Sequence, residues 1–380
     1  MKILILLPFS FYRPSGSPLS SYYRVKAILD LGYLVDIATY PHGENLDLPN
    51  LKIYRFPKKR IFKSLQAGEF FKKIIYDLCL YINYIRLIIN NKYNIIIIHG
   101  TFVFPAITIK PFIKVPILAT IHGNIEEELS KWDISDSQKL YSLFSKIEKW
   151  FLKHYSLIIT VTDSLKNKLI KKGLPASKIF SIANSTYSVQ VKSVVSDKRV
   201  FEILYAGTFV KVQNLNLLFE TARILNSDEY LFTLIGGNEF EIEEYLKILR
   251  RMKVEKFINL YQRKSPENLA EFINRANIVV SPRTYGENEI PMKIYDYMNY
   301  GKCILASDVP IHRNILNSEI AFLEKADPAS FAKSIIYLRN NPEIVAKLGV
   351  KAKKYFETNF SFDKMKERYK YLLTDIINRF

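Results

Sequence analysis

The sequence predicts an α/β protein made of two consecutive parallel-sheet domains. Three observations carry that expectation. Short runs rich in Ile, Leu and Val alternate with longer helical patterns along the whole chain, as happens when crossover helices cover both faces of a parallel sheet. The length of 380 residues is too great for one ordinary core and suits two. A polar stretch at 187–199 divides the alternation into two series.

The first series opens with Lys2-Ile3-Leu4-Ile5-Leu6-Leu7, an apolar run of strand length, followed by a helix at 19–31. Further strands are expected at 34–39, 95–99, 117–121 and 157–161, with a helix at 136–154. The second series places strands at 201–206, 230–235, 278–281, 303–307 and 321–323. The chain ends in two helical segments from Pro342 onward, parted by Asn359-Phe360-Ser361, where Ser361 can cap the second. No short-period repeat or low-complexity tract interrupts the pattern.

With 48% hydrophobic and 24% charged residues, wholesale disorder, a collagen-like fibre and a multi-span membrane protein are excluded. Cys79 and Cys303 lie far apart with no CxxC pair, so neither a disulfide framework nor a structural zinc is indicated, and a reducing cytoplasm fits. The first apolar run is too short for a signal peptide. The stretch 74–89 is interrupted by Asp77, Asn83 and Arg86 and falls short of the roughly 20 apolar residues of a membrane span.

The charge is lopsided: 55 Lys and Arg against 37 Asp and Glu give +18. The first 190 residues hold 26 basic and 13 acidic groups, leaving 29 and 24 for the rest. The densest part contains Lys52, Arg55, Lys58, Lys59, Arg60, Lys63, Lys72 and Lys73, with Glu69 the sole opposing charge before the amphipathic stretch 74–89. One reading is contact of the stretch from Lys52 to Lys73 with the inner face of an anionic membrane, each charge contributing about 1 kcal/mol. The other is a solvated basic loop beside a core helix. Nucleic acid is not the expected partner, since interleaved aromatics, helix-turn-helix, zinc and RNP motifs are missing.

Ligands of open parallel sheets bind beyond the carboxyl ends of strands. The loop after the first strand has one glycine, Gly16, and no GxGxxG, which argues against a nicotinamide dehydrogenase. Gly16 and Ser17, entering a helix, either present amides to a sugar or phosphate or form a plain turn. The segment 281–302 says more. Pro291 suits a first helical position, after which the amides of Met292 and Lys293, joined by the Lys293 ammonium, make a diphosphate-sized anion site. Asp296, at i+3, is either a carboxylate clamp for two ribose hydroxyls or a surface partner for Lys293 contributing under about 1 kcal/mol. Gly301 suits the residue just past the helix end.

These residues also resemble the signature of family-4 retaining glycosyltransferases of the GT-B fold. Asp296-Tyr297-Met298-Asn299-Tyr300-Gly301-Lys302-Cys303-Ile304 is similar to its E-A/Y-M-A-x-G-K/x-P-V half, and Pro291-Met292-Lys293 to its P-x-K form. Gly16 and Arg24, Ile121-His122-Gly123, Ile182-Ala183-Asn184, Tyr205-Ala206-Gly207 and Phe360-Ser361-Phe362 resemble further family elements in the same order. The resemblance implies two Rossmann-like domains with a central cleft: an acceptor-side domain over 1–188, a donor-binding domain over 189–361, and a terminal helix at 362–380 crossing back to the first. It implies retaining transfer from a UDP-sugar or GDP-sugar to a hydroxyl of a lipid-linked or surface glycan, with no metal or other cofactor.

The departures define the expected site. An Arg after the glycine matching Gly207, and a Lys five residues on, are replaced by Thr208 and Gln213. Losing two charge-assisted hydrogen bonds of about 1.5 to 3 kcal/mol each would weaken donor binding roughly a hundred-fold to ten-thousand-fold unless replaced. Lys211 and Lys293 are the expected replacements, with Arg263, Lys264 and Arg283 nearby. Asn288 holds the first acidic position between Glu287 and Glu289, and a one-residue loop adjustment lets Glu289 serve. His122 follows a strand; it is either a hydrogen-bonded structural residue or, as the resemblance implies, a contact to the donor sugar. Two other classes remain: a silent GT-B partner or glycan-binding module, which the departures at Thr208, Gln213 and Asn288 fit, and another GT-B enzyme such as a nucleotide-sugar epimerase.

Overall fold

The computed structural model describes residues 1–12, 16–44, 46–57, 61, 70–100, 103–123, 138–187, 189, 199–285 and 290–379. The chain forms two compact units, Met1–Asn184 with Phe362–Phe380, and Ser185–Ser361.

The first unit holds a parallel sheet of β1 (Lys2–Leu7), β2 (Leu34–Thr39), β3 (Leu51–Arg55), β4 (Ile95–His99), β5 (Ile117–Ile121), β6 (Leu157–Thr160) and β7 (Ile179–Ser181), in the order β3-β2-β1-β4-β5-β6-β7. Its longer helices are α1 (Gly16–Asp30), α2 (Phe70–Asn90), α3 (Gln138–Lys153) and α4 (Asp163–Lys171). The second unit repeats the plan with β8 (Phe201–Ala206), β9 (Tyr230–Gly237), β10 (Ile258–Gln262), β11 (Ile278–Ser281), β12 (Cys303–Ser307) and β13 (Phe322–Glu324), in the order β10-β9-β8-β11-β12-β13. Its helices are α5 (Leu215–Leu225), α6 (Glu239–Met252), α7 (Pro266–Arg275), α8 (Met292–Asn299), α9 (Pro328–Asn340) and α10 (Pro342–Asn359), and α11 (Phe362–Arg379) returns to the first unit. In both sheets the first strand is central and the order reverses beside it, which is the switch point where such folds bind ligands.

The strands buried on both faces are those the apolar runs announced. Ile95 to Ile98 are each 1% exposed or less, so hydropathy alone marks them. Three strands lack that signal. β3 reads as part of a basic loop because Lys52 and Arg55 sit on it, yet it is the sheet's edge, where charged side chains are the usual guard against further pairing. Arg55 turns inward to donate to the carbonyls of His42 (2.7 Å) and Tyr40 (3.4 Å). Lys73 is paired with Asp77 one turn on. The basic stretch is therefore partly spent on the fold itself, while Lys58, Lys59, Arg60 and Lys63 lie outside the described residues.

The two units divide at 184/185, ahead of the 188/189 boundary expected from the sequence. Side-chain anchors explain where. Arg24, 1% exposed on α1, donates to the Ile182 carbonyl (2.7 Å), the Asn184 Oδ1 (2.9 Å) and the Tyr369 hydroxyl on α11 (3.1 Å), tying the end of the first unit together. Two residues later, the Thr186 hydroxyl donates to Asp296 (2.6 Å) within the second.

Candidate functional site

The second unit gathers most of the expected residues at its switch point. β8 ends at Ala206, and the chain turns at Gly207 toward Thr208, Lys211 and Gln213. β11 ends at Ser281 and leads to α8, whose first residues are Met292 and Lys293. Pro291 precedes the helix as its N-cap rather than occupying its first turn; its extended ψ of 132° makes it the entry residue. The Ile294 amide already bonds the Pro291 carbonyl (3.0 Å), so Met292 and Lys293 are the amides left to the first turn.

Lys293 is 7% exposed. Its ammonium donates to Gln213 Oε1 (2.8 Å) and stands 3.9 Å from the centroid of the Tyr205 ring. Gly207 makes that approach possible: a Cβ there would lie 2.9 Å from the Tyr205 hydroxyl and 3.1 Å from the Lys293 Nζ. No carboxylate pairs with Lys293 among the described residues. Burial holds its pKa well below the ordinary lysine value, and the nearby Arg283 guanidinium adds to that. A buried cation supported by an amide oxygen and an aromatic face, but without a counter-ion, gains from a neighbouring anion.

Asp296 does not pair with Lys293. One carboxylate oxygen accepts from Thr186, and burial raises its pKa to about 6 despite that bond. The surface-pair reading of the i+3 spacing is thereby set aside: the lysine turns to β8 and the aspartate to the start of its own unit. The rest of α8 is fixed tightly. Tyr297 accepts from the Ala206 amide (2.8 Å), linking helix to β8. Gly301, at φ 65°, closes the helix with Gly301 N to Met298 O (2.9 Å) and Lys302 N to Tyr297 O (3.0 Å). Lys302 then caps carbonyls at the end of α7, from Asn274 (2.7 Å) and Ala276 (2.8 Å), and burial lowers its pKa to about 8.

Beside this site His312 is fully buried. Its Nδ1 donates to the Ser307 carbonyl (2.7 Å), its Nε2 accepts from Ser281 (3.0 Å), and burial lowers its pKa to about 4, so it is a neutral brace between β11 and β12. Of the other expected residues, Lys211 and Arg263 are exposed, Arg263 following β10 with its amide on Gly237 O (3.3 Å). Thr208 offers its carbonyl to the Tyr205 hydroxyl (2.7 Å). Glu289 and its neighbours Glu287 and Asn288 lie outside the described residues. Tyr205 and Thr186 are participants that sequence reasoning did not single out; Tyr205 had a signal in its position two residues before Gly207.

In the first unit, Gly16 begins α1 and is exposed, and the side chain of Ser17 lies outside the description. His122 follows β5, its ring 5.8 Å from that of His99 at the end of β4. Residues 99 and 120 are register partners, so His99, Thr120 and His122 share one face of the sheet. His99 is 2% exposed, its pKa held well below the ordinary histidine value by burial, with His122 and Arg24 adding to it. His99 Nδ1 and Thr120 Oγ1 have no hydrogen-bond partner among the described residues.

The sequence matches the family model described as Glycosyltransferase Family 4 over residues 16–186 and that described as Glycosyl transferases group 1 over residues 189–355. No curated protein matches it. Among solved structures it is similar to sucrose-phosphate synthase from Thermosynechococcus elongatus (14% identity, 100% of both chains, TM-score 0.80). It is similar as well to Anabaena HepE in complex with UDP and glucose (15% identity, 98% of this chain and 99% of that one, TM-score 0.76). A mutant of TarM from S. aureus, in complex with Fondaparinux, alpha-GlcNAc-glycerol and UDP, also matches (14% identity, 98% and 99%, TM-score 0.73).

Proposed function

The chain belongs to the GT-B glycosyltransferases, its two halves matching their two family models in order, and on that premise we propose that it transfers a sugar from a UDP-sugar to a hydroxyl acceptor with retention and without a metal ion. The observation that carries the proposal is the buried Lys293 ammonium, held by Gln213 and Tyr205 over Gly207 with no carboxylate paired to it among the described residues. A diphosphate supplies the counter-charge that the described residues do not. UDP is the nucleotide named with HepE and TarM, and it is the donor nucleotide the proposal takes first.

In this reading the departing diphosphate rests on the amides of Met292 and Lys293 and on the Lys293 ammonium, with Lys211, Thr208 and Gly207 on the opposite lip. Charge developing on the leaving oxygen meets donors already in place, which is the largest electrostatic contribution a preorganised site makes. Gln213 then positions Lys293 where the family places a second cation. Asp296, with Thr186 on one oxygen, uses the other for the ribose. His122 is assigned to the transferred sugar, Glu289 to its hydroxyls, and Arg263 to the base side. A lipid-linked or surface glycan is the proposed acceptor, taken by the basic first unit at an anionic membrane.

A panel of nucleotide sugars, read by UDP release and by the anomeric configuration of the product in NMR spectra, tests the proposal. Retained configuration with a UDP-sugar is expected. An inverted product, or UDP failing to bind at millimolar concentration, sinks it; the latter result favours a silent GT-B partner, and conversion of donor without acceptor favours an epimerase.

A further inference from the structure

We propose that the outward face of α2, with the outer surfaces of the 107–112 turn and α3, docks the first unit on an anionic phospholipid bilayer. α2 is apolar on two opposite sides. Tyr76, Leu80, Tyr84 and Leu87 are buried toward the sheet, whereas Phe71, Ile74, Ile75, Leu78, Ile82 and Ile89 are exposed. Helical spacing puts the exposed six in one stripe, about 27 Å long at the rise of an α-helix. Leu78 is 59% exposed and Ile89 74%, so this is an open surface and not the rim of a core. A helix apolar all round is ordinarily buried in protein or in lipid. Among the described residues no helix is long and apolar enough to cross a membrane, and the arrangement left to α2 is to lie along the interface.

Its neighbours extend the same surface. Ile107, Ile109 and Leu152 share a core with Leu80 and Tyr84, so the 107–112 turn and α3 belong to the layer of α2. On their outer sides Phe112, Leu143 and Trp150 are exposed, at 84%, 53% and 59%. Tryptophan favours the headgroup level of a bilayer.

Charge selects the occupant. Residues 70–90, 107–115 and 138–153 contain nine Lys and Arg against two acidic residues. Both acids are already held by lysines, Asp77 by Lys73 and Glu148 by Lys172. Apolar side chains set among excess lysines match an anionic lipid surface, whereas a second copy of this face would bring like charges together. The inference deepens the membrane side of the proposed function and rests on that part of it alone. It also moves the contact from the basic run before α2 to the outer face of α2 itself.

The test is co-sedimentation of the full chain with phosphatidylglycerol–phosphatidylcholine vesicles and with pure phosphatidylcholine vesicles, without donor or acceptor. Binding to the anionic vesicles is expected to be at least about ten-fold stronger and to weaken with salt. Leu78→Asn combined with Ile82→Asn is expected to lower it about ten-fold or more with circular dichroism and thermal melting unchanged. Arg86→Glu with Lys146→Glu, both on exposed positions, should remove the preference for anionic lipid. Absence of binding by the unaltered chain, or binding that both variants retain, overturns the proposal. So does an unaltered dimer that the asparagine pair converts to a monomer. Because no sugar transfer is measured, failure here leaves the catalytic reading untouched, and the reverse holds.

Discussion

The two sheets differ in how the named polar groups at their carboxyl edges are held. In the second unit the groups named around Lys293 are bonded to one another or to nearby backbone: Gln213 takes the ammonium, Tyr205 bonds Thr208, Thr186 bonds Asp296 and His312 is bonded at both nitrogens. In the first unit, His99 Nδ1 and Thr120 Oγ1 are buried with no partner among the described residues. Among the described residues, the Lys293 ammonium at the second edge lacks a paired carboxylate, and His99 Nδ1 and Thr120 Oγ1 at the first lack hydrogen bonds. A diphosphate fits the former deficit; hydroxyl-rich sugars or ordered water fit the latter.

The contrast can be broken in several ways. Lys293→Ala should have the largest effect, lowering kcat/KM for the donor about ten-fold to a hundred-fold. Initial rates of UDP release measure it, and unchanged rates would remove the lysine from the mechanism. A somewhat smaller effect is expected from pH. Because the Asp296 pKa is raised to about 6, the carboxylate gains a proton as pH falls through that value, and a ribose clamp then loses an acceptor. UDP affinity should fall about ten-fold between pH 7 and pH 5, and Asp296→Asn should flatten that slope in calorimetric titrations; an identical slope in the variant would place the titrating group elsewhere.

Gln213→Lys restores the residue usual in the family but sets a second ammonium against Lys293. A loss of about 1 to 2 kcal/mol, or a Tm lower by roughly 2 to 8 °C, is expected. A variant as stable as the parent would mean that the two cations have room to separate. The smallest change belongs to the first unit: Thr120→Val removes a buried hydroxyl that has no partner among the described residues, so stability in urea should hold or rise by up to about 1 kcal/mol. A clear loss would show that the hydroxyl is satisfied by water.

Most of the fold was legible because central parallel strands are written as unbroken apolar runs. β3, β7 and β10 were not, since they are edge strands or short, and their outward residues are polar. The place of Lys293 at the head of α8 was legible from Pro291 ahead of it. The partners were harder. Nothing local says that Lys293 turns to Gln213, 80 residues earlier, while Asp296 turns to Thr186, 110 earlier. Such pairings depend on strand order, which brings β8 beside β11, and strand order is not a periodicity. Exposure of the outer face of α2 was equally hidden, because an apolar residue reads the same whether it meets a core or solvent.

The end of α8 sets how the ammonium can adjust. Gly349 on α10 lies so close to Gly301 that a Cβ on it would stand 2.2 Å from the Gly301 carbonyl. The two helices meet backbone to backbone, and any side chain at 349 would wedge them apart. With Tyr297 fastened to β8 as well, sliding of α8 along its axis is blocked. In the proposed reaction, the reach of Lys293 toward a phosphate must come from rotation about its own side-chain bonds. Position 349 is therefore a distant control on the proposed donor site: enlarging it would shift Lys293 without altering a single group proposed to touch the nucleotide.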